Sequence, residues 1–332
     1  MNYVGIDVSQ DHLDFALLDS KGEHVESAQV GNEDRAIIKL VRSWEKKHGL
    51  DREQSLFCLE PTGYCSYLPL CVLMELKARV WLAHPTDIKQ SLGMTRGKND
   101  KVDAQRIAKY AWRFRDKARL YTTDQLRMNK LKQLLMKRRQ LIEAKRKLTV
   151  QLSTLTLKLH KDLRSSFNRM DKAQARVIDG AITQLEGMIQ TEVQADERTR
   201  RQYELITTVP GVGPVLATTL LAATDSFTRY VTPRQLSCYA GIAPFEHSSG
   251  SSVRGRTRTS PQANGGLKSL LHMGAMVAVR SDGELRAYYT RKVAEGKPKL
   301  CVLNAVRGKI LHRICAVLRR DAPYVRVISA PV

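Results

Sequence analysis

The stretch that decides the fold lies near the start of the sequence and reads Tyr3-Val4-Gly5-Ile6-Asp7-Val8. It is a short apolar run interrupted by one carboxylate, a pattern typical of a buried strand with a polar end. Outward from it, further strand-like runs occupy residues 13–18, 24–30, 56–59 and 79–83, and helical spacing occupies residues 37–44 and 67–76. The order strand, strand, strand, helix, strand, helix, strand, helix predicts a mixed α/β sheet covered by helices.

The middle of the chain predicts long helices, because residues 98–179 contain neither glycine nor proline. Leucines recur every seven residues in one seam, at Leu134, Leu141, Leu148 and Leu155. A second seven-residue repeat in the same segment carries Arg138 and Lys145 at its middle positions. This pattern predicts a helical hairpin or coiled coil whose basic stripe faces something acidic. Gly180 and Gly187 predict a helix break after it.

The last third is predicted to be mostly α-helical. A turn over residues 209–214, with Gly211 and Gly213, precedes an apolar helix over residues 215–223. Such a turn either brings backbone N–H groups to a phosphate, as in helix-hairpin-helix elements, or simply connects two helices. We expect three parts in the chain, with boundaries at 1–122, 123–198 and 199–332.

The charge balance points to a polyanionic partner. The 332 residues contain 55 Lys+Arg against 33 Asp+Glu, a formal net charge of +22, and such a surplus favours nucleic acid. One group of basic residues lies on a single predicted helix and is our candidate nucleic-acid contact: Lys130, Lys137, Arg138, Arg139, Lys145, Arg146 and Lys147. A solvated charged surface is the alternative interpretation.

Several protein classes are not expected. No apolar run approaches the ~18 residues needed to span a bilayer, and the N-terminal residues do not resemble a secretory signal. The six cysteines lack metal-binding spacing, which favours reduced thiols. We therefore expect a cytoplasmic protein with no membrane partner.

Four carboxylates stand at informative positions. Asp7 closes the first strand, Glu60 closes a later strand, and Asp100 and Asp103 lie one turn apart on a predicted helix. If the first and fourth strands are neighbours, the four groups converge and repel one another unless cations lie between them. Oxygen ligands select hard ions, so we expect Mg²⁺ or Mn²⁺. Taken singly, each carboxylate has an alternative role in a turn or helix cap.

Five segments resemble those of a known family. Residues 3–7, 60–63, 98–104, 239–244 and 249–255 are similar to the motifs of DEDD-type insertion-sequence transposases. These include Piv-like DNA invertases and bridge-RNA-guided recombinases. The resemblance implies a RuvC-like, ribonuclease H-type metal-binding domain over residues 1–122, a coiled-coil linker, and a transposase domain over residues 199–332.

The resemblance also implies a mechanism. Ser249 would attack a phosphodiester and form a covalent phosphoserine link, with Asp7, Glu60, Asp100 and Asp103 holding Mg²⁺. The implied partners are donor and target DNA, a noncoding bridge RNA, and further copies of the chain in a dimer or tetramer. Such a protein would associate with the bacterial nucleoid when active.

The surroundings of Ser249 form a predicted flexible Gly/Ser loop over residues 247–255. Ser251 and Ser252 are alternative nucleophiles, and His247 is an alternative proton carrier. Four basic residues follow and suit phosphate contact: Arg254, Arg256, Arg258 and Lys268. Pro261 stands where the family usually has a lysine, which weakens the assignment of phosphate contacts around it.

Two other functions remain open. One is a RuvC-like, structure-selective nuclease that uses two metal ions and water, in which Ser249 is a loop residue. The other is a nucleic-acid-binding protein whose carboxylates do no chemistry. A protein–DNA adduct that survives denaturation separates the recombinase from both.

Overall fold

A computed structural model describes residues 1–91, 100–155, 160–230, 232–249, 253–260 and 263–325. Within these ranges, the side chains at 100–101, 151–155, 161, 245–249 and 253–258 lie outside the description. The chain divides into two compact units, Met1–Lys130 and Leu131–Val332. The three-part division stays a prediction.

The first unit is built on a five-stranded sheet. Its strands are β1 (Tyr3–Val8), β2 (His12–Leu18), β3 (His24–Gly31), β4 (Leu56–Leu59) and β5 (Arg79–Leu82). Their order is β3-β2-β1-β4-β5, with β1, β4 and β5 parallel to one another and β2 antiparallel to its neighbours β1 and β3. The predicted order of elements and the predicted α/β fold are confirmed, and β1 and β4 are neighbours.

Helices cover both faces of this sheet, because alternate residues of each strand point to opposite sides. The helices α1 (Asp34–His48) and α2 (Tyr67–Glu75) pack on one face, where Ile6 and Phe15 meet Trp44. The helices α3 (Pro85–Ser91) and α4 (Asp100–Arg113) pack on the other, where Tyr3 and Cys58 meet Ala108. A single turn of 3₁₀ helix follows at Arg115–Lys117.

Gly5 allows α4 to lie directly against β1. A Cβ atom at Gly5 would stand 2.1 Å from the carbonyl oxygen of Ala104 and 2.3 Å from the backbone nitrogen of Ala108. No side chain fits in that space, since the obstructing atoms are backbone. Asp7 lies two residues beyond Gly5 in the strand, so it is on the sheet face that α4 covers.

We expect Gly5→Ala to destabilise the first unit, because its methyl group can enter only if α4 moves off the sheet. The cost should be about 2 kcal/mol or more. Thermal denaturation followed by circular dichroism measures it. The matched control is Gly180→Ala, at a helical glycine with open space around it, which should leave the melting temperature equal or higher. Equal melting temperatures for Gly5→Ala and the parent chain would contradict this packing.

Two long helices follow, α5 (Thr123–Leu155) and α6 (Lys161–Gln194). Arg138 of α5 forms an ion pair of 2.6 Å with Glu186 of α6, and Lys145 forms one of 2.6 Å with Asp179. The two basic residues are seven positions apart on α5. Their acidic partners are seven positions apart on α6 in the reverse order, so α5 and α6 are antiparallel. The acidic partner expected for the basic stripe is therefore part of the same chain.

The predicted helix break at Gly180 and Gly187 is wrong. The helix α6 continues through both positions to Gln194. A glycine costs roughly 1 kcal/mol in a helix interior, and the ion pairs at Asp179 and Glu186 lie on the same stretch of α6. A helix of 34 residues therefore continues through both glycines despite their local preference.

The second unit continues with helices α7 (Glu197–Thr207), α8 (Pro214–Thr224), α9 (Pro233–Tyr239), α10 (Gly265–Ser281), α11 (Gly283–Ala294) and α12 (Lys299–Arg320). They enclose a core that includes Leu205, Leu220, Leu271 and Ile310. The mostly helical character predicted for this region is confirmed. Across the residues that the structure describes, none of the helices is both long enough and apolar enough to cross a membrane.

The Gly/Ser segment differs from its predicted form. It folds as an antiparallel hairpin of β6 (Phe245–Ser249) and β7 (Val253–Arg258), in which Ser249 pairs with Val253. The prediction of a flexible loop over residues 247–255 is therefore wrong for the two strands. Loop composition does not exclude a hairpin when the flanking residues pair across the turn.

The glycine turn before α8 packs tightly against α10. Gly211 has a φ of 86°, and a Cβ there would stand 2.3 Å from the carbonyl oxygen of Gly274. A Cβ at Gly274 would in turn stand 2.5 Å from the carbonyl oxygen of Gly211. Both glycines are thus required by the helix packing, which favours the structural interpretation of this turn.

Candidate active site

Acidic side chains form a row across the centre of the sheet. Asp7 of β1 lies opposite Asp14 of β2 in the strand register. On the other side of β1, Ile6 pairs with Leu59 of β4, so Glu60 continues the row beside Asp7. Strand alternation places Asp7, Asp14 and Glu60 on the face covered by α4.

Asp103 joins this row from α4. Burial raises the pKa of Glu60 above its ordinary value; the cation of Lys89 lowers this pKa, the nearby carboxylate of Asp103 raises it, and His84 lowers it. Glu60 and Asp103 are thus close enough to repel each other, although they are 43 positions apart in the sequence. The structure therefore places Glu60 near Asp103, and the convergence of all four carboxylates stays a prediction.

The carboxylate of Asp103 has a cationic partner on its own helix. Arg106 donates from Nη1 to Oδ1 of Asp103 at 2.7 Å, and both side chains are half-buried. The guanidinium offsets negative charge at the edge of the acidic row. The side chain of Asp100, at the first position of α4, lies outside the described residues.

Asp14 is the member of the row that sequence reasoning missed. Its side chain is only 5% exposed, and Nε2 of Gln29 donates to Oδ2 at 3.1 Å and to Oδ1 at 3.3 Å. The signal in the sequence is a carboxylate inside an apolar strand, between Leu13 and Phe15. A buried carboxylate needs hydrogen-bond partners, and Gln29 on the next strand supplies them.

The donor atoms of this row fit a hard divalent cation. Carboxylate oxygens are the ligands that Mg²⁺ and Mn²⁺ accept, and the repulsion between Glu60 and Asp103 is what a cation would relieve. Within the described side chains, which do not include Asp100, no three acidic, histidine or cysteine residues are grouped closely enough to bind a metal by themselves. The chemistry of the residues fits the ion, and the assignment of ligands stays a prediction.

Ser249 is the last residue of β6 and pairs with Val253, the first residue of β7. Its side chain and residues 250–252, with the alternatives Ser251 and Ser252, lie outside the described residues, as does the side chain of His247. Lys268 of α10 is near the base of the same hairpin, where its Nζ donates to Oγ1 of Thr259 at 3.4 Å.

The arginines of this hairpin are placed only by their backbone. Three of them belong to β7: Arg254, Arg256 and Arg258. Their side chains lie outside the description, as does Pro261. Their role as phosphate contacts stays a prediction.

Three of the candidate basic residues of α5 form ion pairs within the chain. Arg138 and Lys145 bind Glu186 and Asp179 on α6, and Arg146 binds Glu143 one turn earlier. The side chains of the remaining candidates are exposed: Lys130, Lys137, Arg139 and Lys147. The pairing of α5 with α6 therefore accounts for Arg138 and Lys145 without nucleic acid, and nucleic-acid contact by the whole group stays a prediction.

Two family models match separate parts of the chain. A model described as a transposase of the DEDD type matches residues 4–160. A second model, described as the transposase IS116/IS110/IS902 family, matches residues 203–290. The first match contains the acidic row, and the second contains the hairpin with Ser249.

Individual proteins are similar over nearly the whole length. The pilin gene-inverting protein of Moraxella bovis is 25% identical over 97% of each chain. A 44.8 kDa protein of insertion element IS116 from Streptomyces clavuligerus is 25% identical over 96% of this chain and 94% of its own. Among solved structures, Thermus thermophilus RuvC covers 36% of this chain and 100% of its own, with 13% identity and a TM-score of 0.28. Because transposase models match both units and relatives align almost from end to end, the chain belongs to the IS116/IS110/IS902 family of transposases.

Proposed function

We propose that this transposase is a DNA recombinase that cleaves and rejoins strands through a covalent phosphoserine link at Ser249. The observation that carries the proposal is the acidic row, in which Asp7 and Glu60 adjoin in register and Asp103 acts on the pKa of Glu60. Two half-buried carboxylates that repel each other, Glu60 and Asp103, are costly for folding alone. The acidic row is therefore a candidate for chemistry rather than for stability.

The acidic residues would hold one or two divalent cations. Asp7, Glu60, Asp100 and Asp103 are the proposed ligands, and Mg²⁺ or Mn²⁺ would supply stabilisation of the negative charge that develops on the phosphodiester. Arg106 keeps Asp103 in place through their ion pair. Gly5 keeps α4, which carries Asp100 and Asp103, against β1.

Ser249 would perform the covalent step. Its Oγ forms a bond to phosphorus, the bond between phosphorus and the leaving deoxyribose oxygen breaks, and the proton of the serine hydroxyl ends on that oxygen. The new phosphodiester preserves the energy of the old one, so the reverse step can join a different strand without ATP. The proposal requires Ser249 and the acidic row to meet at one phosphorus, within one chain or between two copies.

The proposed partners follow from the family resemblance and the charge. They are donor and target DNA, a noncoding bridge RNA that pairs with both, and further copies of the chain in a dimer or tetramer. The exposed cations Lys137, Arg139 and Lys147 on α5 are candidates for binding the RNA backbone.

A cleavage assay tests the proposal. Purified protein is incubated with end-labelled element DNA, with Mg²⁺ or EDTA and before or after ribonuclease treatment, and the products are separated under denaturing conditions. We expect Mg²⁺-dependent cleavage with a labelled protein–DNA adduct, and loss of activity after ribonuclease. Cleavage without an adduct would favour the two-metal hydrolytic nuclease, for which the acidic row is also suited. Unchanged DNA in the presence of Mg²⁺ and RNA would contradict both enzymes.

A further inference from the structure

The exposed side of α1 carries four basic residues in one row, Arg35, Lys39, Arg42 and Lys46. They are spaced four, three and four positions apart, which keeps them on one face of a helix. At 1.5 Å per residue the row is roughly 16 Å long. We call these four residues the α1 basic row.

The charges of this row are not neutralised within the described part of the chain. None of the four side chains has an ion pair or a hydrogen bond there, whereas other basic residues of the same region do. Lys47 binds Glu26 at 2.6 Å, and Arg52 binds Glu45 at 2.8 Å. Glu26 and Glu45 are thus already paired with other cations, and within the described residues the four side chains of the α1 basic row have no ion pair or hydrogen bond.

The row lines a shallow groove of about 550 Å³. Two other residues also line it, Ile38 and Ser43. These six described residues include no carboxylate, which would repel a phosphate, and no aromatic ring, on which an unpaired base would stack. These features suit the phosphate backbone of a duplex better than a single strand.

The groove and the acidic row lie on opposite faces of the sheet. The inner side of α1 packs with Ile37, Val41 and Trp44 on the face away from α4. Asp7 and Glu60 are on the face that α4 covers. A nucleic acid bound at the α1 basic row is therefore not the segment whose phosphodiester reaches the acidic row.

We propose that the α1 basic row binds the phosphate backbone of double-stranded DNA away from the scissile phosphate. This inference rests on the proposed function for the choice of DNA as the ligand. A recombining enzyme must hold more DNA than the segment that it cuts, and a second surface on the opposite sheet face provides for that. The binding is independent of sequence, because phosphates carry no base information.

The test compares two variants in which four charges are removed. The first carries Arg35→Gln, Lys39→Gln, Arg42→Gln and Lys46→Gln. The matched control carries substitutions to Gln at four exposed basic residues of the second unit: Lys297, Lys299, Arg319 and Arg320. Fluorescence anisotropy with a labelled 30-base-pair DNA duplex gives the affinity from 50 to 300 mM salt, and circular dichroism confirms that both variants are folded.

We expect the slope of log affinity against log salt to fall by about 2 to 4 units in the α1 variant, because each phosphate that the protein neutralises adds about 0.9 to the slope. The slope for the control should change by less than half as much. An unchanged slope, an equal decrease in the control, or a decrease seen only with an RNA duplex would overturn the proposal. A protein that binds through the row but never cleaves would contradict the proposed function and leave this inference standing.

Discussion

We expect Asp7→Asn to reduce the rate of strand cleavage by more than about 100-fold. Even substitution of a residue that only supports a metal ligand reduces metal affinity or activity by about 10- to 100-fold. The substitution keeps the shape of the side chain and removes the negative charge that we propose binds the cation. The same loss is expected for Asp103→Asn. A radiolabelled cleavage assay at several Mg²⁺ concentrations measures it, and anisotropy should show unchanged DNA binding.

The matched control for Asp7 is Asp11→Asn. Asp11 is exposed in the connection between β1 and β2, outside the acidic row, so this variant should cleave at the parent rate. Two results would contradict a metal site at Asp7: full cleavage by Asp7→Asn, or cleavage by the parent chain that EDTA does not reduce. Equal loss in Asp11→Asn would indicate a general effect of charge.

Ser249→Ala should form no covalent adduct and should reduce recombination by about 10³-fold or more. No neighbouring group can take the place of the nucleophile. Nucleic-acid binding should be retained. Denaturing electrophoresis of labelled DNA after incubation with Mg²⁺ detects the adduct, and peptide mapping of the adduct identifies the modified residue.

Ser248→Ala is the natural control for this variant. Ser248 precedes Ser249 in β6 and pairs with Arg254 in the hairpin register, so it tests the same strand without the proposed nucleophile. We expect it to form the adduct normally. An adduct that persists in Ser249→Ala would refute the assignment, and mapping of the adduct to Ser251 or Ser252 would identify that serine as the nucleophile.

Local sequence determined the order of the elements and the identity of most of the acidic row. The apolar run around Asp7, the short run before Glu60 and the stretch without glycine or proline are signals that act over a few residues. Strand and helix periodicity depend on neighbours in the chain, so they can be recognised without the fold. The position of Glu60 beside Asp7 also follows once β1 and β4 are neighbours.

Only the tertiary structure decided which distant residues meet. The acidic partners of Arg138 and Lys145 are 48 and 34 positions away on α6, and that helix continues through Gly180 despite its local preference. Asp14 belongs to the acidic row because β2 pairs with β1 in one particular register. The hairpin that carries Ser249 depends equally on pairing between strands. Pairing and packing energies arise between segments far apart in the chain, and no local pattern records them.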